Sequence, residues 1–114
     1  MIRKTFGASL LTTDQTLYTV PESKKAQWVI LYATNVSGST SNFDVSFYDA
    51  STSATLQVLD GYSLSANDFF KIGGEINAFI MLYAGDQIKA RCATNNAVSL
   101  LVSVIEENDV IQGG

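Results

Sequence analysis

Apolar and polar positions alternate in short runs along this chain, and small polar or glycine-containing breaks separate the runs. The densest pair of runs lies at residues 26–49. AQWVILYATNV is followed by the loop SGSTSN and then by FDVSFYD. In the second run Phe43, Val45 and Phe47 alternate with Asp44, Ser46 and Tyr48, the period of a half-buried strand. In the first run Trp28 to Ala33 are apolar without a break, so both faces of that strand are expected to be covered. The pair is read as a central antiparallel hairpin on which the other strands assemble.

Residues 3–12 place Phe6, Ala8 and Leu10 on one face, and residues 16–20 form a short strand stopped by Pro21, the only proline. Further strands are predicted over 55–59, 69–72, 79–82, 87–93 and 98–105, with a short extended piece at 62–64. Turns are predicted at Asp60-Gly61, at residues 65–68, at Gly73-Gly74 and at residues 83–86, and a hairpin loop at residues 94–96. In the last strand Val98, Leu100, Val102 and Val104 share one face. Leu101 and Ile105 fall on the other, which points to contact with another sheet or chain. Residues 1–5 and 106–114 are expected as arm or tail segments, the latter frayed and solvated.

Turn signals recur about every ten residues, and no stretch has helical period. The expected fold is a single all-β domain, an antiparallel β-sandwich of about eight strands with jelly-roll-like connectivity. An immunoglobulin-like sandwich is the alternative, although the Cys-Trp-Cys spacing of antibody domains is missing.

Composition changes the picture in one respect. Of 114 residues 46% are hydrophobic and only 16% charged, where roughly a quarter is usual. A charge-poor exterior on a small domain points to coverage by other chains. The net charge of −4, with seven basic residues and no cluster beyond Arg3-Lys4 and Lys24-Lys25, argues against nucleic acid and against anionic membrane. No signal segment or membrane-length apolar run stands out, so folding in a cytoplasm is expected. Asn35-Val36-Ser37 matches a glycosylation sequon and is read as chance.

Candidate chemistry is sparse. With no histidine and one cysteine, zinc and a base-activated thiol are excluded, and Cys92 reads as a small core residue in phase with Ile88 and Ala90. The acidic residues Asp14, Glu22, Asp60, Asp68, Glu75 and Asp86 lie in turns or at strand ends and read as solvated. Glu106, Glu107 and Asp109 lack the ligand alternation of a calcium loop. No catalytic residue, metal ligand or cofactor is expected. Trp28, Tyr48, Tyr62 and Phe70 are the candidates for a sugar-stacking platform, with Tyr48 the best outward one; aromatics at strand spacing more often serve core or interface.

Three segments in this order resemble small virion structural proteins of tailed bacteriophages: LYTVP at 17–21, YATNVSGSTSNFDVSFYDAS at 32–51, and LYAGDQIKARCATNNAVSLLVSVIEE at 82–107. That resemblance implies a non-enzymatic β-sandwich that decorates or cements the capsid, often as a trimer, or that builds neck and tail parts. Its partners would be the major capsid protein and sister subunits, and its location the surface of a virion assembled in a host cytoplasm. The Phe69-Phe70 and Gly73-Gly74 stretch departs from the more polar connection expected there. The interface candidates are Arg3, Lys4, Phe6, Tyr48, Phe69, Phe70, Leu101 and Ile105.

Overall fold

A computed structural model describes residues 1–73 and 80–109. Among them are nine strands: β1 (Ile2–Ser9), β2 (Gln15–Thr19), β3 (Lys24–Asn35), β4 (Ser41–Asp49), β5 (Ala54–Leu64), β6 (Phe69–Gly73), β7 (Ile80–Tyr83), β8 (Gln87–Cys92) and β9 (Val98–Asn108). They form two antiparallel sheets. One has the order β1-β9-β3-β6, with β7 also paired to β3; the other has the order β2-β8-β4-β5. If β6 and β7 are taken as one interrupted strand, the pairs nest as first with last, second with next to last, and so inward. That nesting is the wrapping of a jelly roll, and it rules out the immunoglobulin alternative.

The inner faces meet in one core. Trp28, Leu31, Leu100, Val102 and Val104 come from the first sheet, and Phe43, Val45, Ile88 and Ala90 from the second, all essentially buried. Their alternation with exposed residues is what makes these segments strands, since only a period of two puts each apolar side chain between the sheets. Phe43, Tyr62 and Phe70 close one seam of the sandwich, with ring centroids 5.8 and 4.4 Å apart. Phe6 on Tyr18, at 5.0 Å, closes the other.

Several expectations are corrected. Residues 26–49 are not a hairpin: β3 and β4 lie in different sheets. Asn35, fully buried at the end of β3, anchors the crossing. Its Nδ2 donates to the carbonyls of Ser39 and Leu64, both at 2.9 Å, and its Oδ1 accepts from the amide and hydroxyl of Ser37. A glycan could not be attached to an amide so enclosed. The loop at residues 94–96 also crosses between sheets, from β8 to β9, with Asn96 in the left-handed region. Asp60-Gly61 is no turn but an irregularity within the continuous β5. Gly61 takes φ +64°, and its amide donates to the Asp44 carboxylate.

Residues 2–9 and 106–108 are strand rather than arm or tail. Ile2–Ser9 pair with β9 along their whole length, so β1 ends at Ser9 rather than at residue 12. Glu106 is buried within β9, which runs on to Asn108. Asp86, expected in solvent, is buried too, and its carboxylate accepts from the amides of Tyr83 and Ala50. Phe79, Glu75, Gly74 and residues 110–114 lie outside the described residues.

Candidate interaction surface

The two outer faces differ in chemistry. On the β2-β8-β4-β5 sheet, Asn42, Asp44, Ser46 and Tyr48 of β4 lie beside Gln87, Lys89 and Arg91 of β8. Arg91 pairs with Asp44 at 2.9 Å and reaches Asp14 at 3.9 Å. The Lys89 ammonium lies 5.9 Å from the Tyr48 ring centroid. Apart from the buried Ser46, this is an ordinary solvated face.

The other outer face carries its charges only along its margins. Register places Gly7, Leu101, Tyr32 and Lys71 in one row across the sheet, with Ser9, Ser99, Thr34 and Phe69 on one side of it. On the other side come Thr5, Ser103, Ile30 and Gly73, then Arg3, Ile105, Gln27 and Met81. Leu101 is 47% exposed and Phe69 56%. Phe69 stacks on Tyr32 with centroids 5.4 Å apart and planes 5° from parallel. Met81 and Tyr83 extend the apolar area along β7. Among the described residues the charges of this face, Arg3, Lys25, Lys71 and Glu107, lie at its margins.

Two local features shape it. An irregularity between Trp28 and Ile30 leaves Val29 without a partner on β9 and re-phases β3, so that Ile30 and Tyr32 face outward. Gly7 lies under Leu101, where an added Cβ would come within 2.6 Å of a Leu101 methyl.

Of the interface candidates, Arg3, Phe69, Leu101 and Ile105 come together here. Tyr48 lies on the opposite, charged face. Phe6 and Phe70 turn toward the core at the two seams, and Lys4 turns inward to Glu106. Sequence reasoning missed Ile30, Tyr32, Met81 and Tyr83. Tyr32 was in sight but sat inside an unbroken apolar run, which carries no face information across a bulge.

The second polar feature is internal. The Tyr18 hydroxyl donates to Glu106 Oε2 at 2.6 Å, and Lys4 Nζ is 3.1 Å from Glu106 Oε1. Burial pushes the Glu106 carboxyl up. The Tyr18 and Lys4 hydrogen bonds and the charges of Lys4 and Lys24 outweigh it and hold the group below the usual carboxylate range. Burial and the same carboxylate push the Tyr18 phenol well up, so it remains a donor. This cluster joins β1, β2 and β9. No group of three metal-ligating side chains occurs among the described residues.

Comparison with known proteins finds no matching family, no matching curated protein and no matching solved structure.

Proposed function

We propose that this chain is a non-enzymatic bacteriophage virion protein, a decoration or cement protein that docks on the capsid at junctions between major capsid subunits. The observation that carries the reading is the outer face whose centre, around Leu101, Tyr32 and Phe69, is apolar and partly exposed while its charges lie at the margins. A face of this kind gains free energy when it is covered, while the charged face opposite stays in water. The three-segment resemblance supplies the kind of partner. Jelly-roll architecture by itself supplies none, since many functions share it.

The test uses purified particles. Quantitative mass spectrometry gives the copy number of this chain relative to the major shell protein. A ratio near one, or a simple large fraction of it, is the expected result; a handful of copies per particle moves the protein to the neck or tail, and absence from particles discards the reading. Added to particles stripped of it, wild-type protein should rebind and Leu101→Asp should not, with the fold of the variant intact by circular dichroism. Equal rebinding removes this face from the docking assignment.

A further inference from the structure

We infer that the free edge of β1 is a self-association site, where β1 pairs antiparallel with β1 of a second copy about a two-fold axis at Phe6. A sandwich has four edges, and each presents unpaired backbone groups that need managing. Three are blunted here. β2 has a register break between Thr16 and Tyr18 and is followed by Pro21. β5 has two such breaks and a left-handed Gly61. The remaining edge is shared by the short strands β6 and β7, and Gly73 at the end of β6 has φ +89°. Among the described edge strands, only β1 runs eight residues in unbroken register.

The outward groups can be assigned. The Leu10 amide donates to the Val98 carbonyl, so this pair is of the hydrogen-bonded type. With unbroken register, Ile2, Lys4, Phe6 and Ala8 then bond to β9, and Arg3, Thr5, Gly7 and Ser9 present their N–H and C=O groups outward. A second β1 can satisfy all four outward residues in only one antiparallel register: Arg3 opposite Ser9, and Thr5 opposite Gly7, in both directions. That register is symmetric about Phe6 and therefore closes as a dimer. It sets Lys4 opposite Ala8 and brings no like charges face to face, whereas a parallel pairing in register would stack Arg3 on Arg3. Lys4 is already neutralised by Glu106. The two half-buried Phe6 rings meet on the axis and cover one another.

This inference stands apart from the capsid reading, and it calls for a two-fold pair in place of the trimer the resemblance implies. The experiment is sedimentation equilibrium of the full chain from micromolar to millimolar concentration. Wild type should fit a monomer–dimer equilibrium. Thr5→Pro removes an outward donor at an edge position that tolerates proline, and dimerisation should weaken about tenfold or more. A second variant removes dependence on that fold. Phe6→Cys places two thiols across a non-hydrogen-bonded pair with Cα atoms about 4.5 Å apart, within disulfide range. Oxidised glutathione should link Phe6→Cys into a covalent dimer and leave Ala8→Cys unlinked. A monomer or trimer at every concentration, or equal linking of the two cysteine variants, overturns the inference.

Discussion

Tyr18→Phe isolates the contribution of one hydrogen bond to the buried carboxylate. The ring and its contact with Phe6 remain, and only the hydroxyl that donates to Glu106 at 2.6 Å is lost. Glu106 is 5% exposed, so water cannot take the place of the missing donor without opening β1, β2 or β9. A hydrogen bond to a buried charged group is worth about 1.5–3 kcal/mol, and a loss of about 2 kcal/mol is expected at pH 7. In a domain of this size that is about 8 °C in melting temperature. The pH dependence carries the stronger test. Glu106 titrates below its unfolded value, so its ionised form contributes stability at pH values above the unfolded pKa. That contribution is lost as pH falls through the folded pKa. Removing the Tyr18 donor raises the folded pKa toward the unfolded one. The wild-type advantage should therefore be full at neutral pH and shrink on acidification through that range. Urea denaturation of both proteins at a series of pH values measures it. A variant within about 0.5 kcal/mol of wild type at pH 7, or a deficit constant with pH, would refute the account.

Two further substitutions probe the backbone framework. Gly73→Ala should cost about 3 kcal/mol or more, because φ is +89° and the new Cβ would lie 2.1 Å from the Val29 carbonyl oxygen; a midpoint in urea close to wild type would show that the β3 irregularity opposite it relaxes freely. Asn35→Ala strips a donor from the buried Leu64 carbonyl and from the part-buried Ser39 carbonyl, and an acceptor from Ser37, and a loss of about 2–3 kcal/mol in the same assay is expected. Asn35→Asp keeps the acceptor but loses both Nδ2 donors, so it should not rescue.

The strands were legible in the sequence because alternation is a local property. β4, β8 and β9 each carry it plainly, and the inner and outer faces of Leu100 and Leu101 follow from parity alone. Which sheet a strand joins is not local. SGSTSN between β3 and β4 has the composition of a hairpin loop and of a crossover alike. The choice was made by Asn35, a polar residue at an inward position whose partners are 4 and 29 residues away. Glu106 carries a signal in its parity: it continues Val102 and Val104 into the core, where a carboxylate must find donors. Asp86 was half legible, since its partner Tyr83 lies three residues away in the same turn but its partner Ala50 lies 36 residues away. Leu101 and Ile105 could be placed on the surface because they are apolar at outward parity. Tyr32 could not, because the irregularity between Trp28 and Ile30 changes the phase of β3 without changing its apolar character.

The contrast between the outer faces is not a requirement of the fold. The sandwich is held by its inner faces, and for a solitary domain in water both outer faces would gain equally from charge and solvation. Here Asp44, Lys89 and Arg91 lie at the middle of one face, while the middle of the other holds Leu101, Tyr32, Ile30 and Ser103. Gly7 sharpens the point. A glycine in the interior of a strand weakens it, yet at this position the missing side chain leaves room for Leu101 to lie across β1. A larger residue would push Leu101 up into solvent and roughen the face without touching the core. The proposed docking on this face would account for a strand that gives up propensity at that position. The proposed docking face and the proposed pairing edge would then meet along β1.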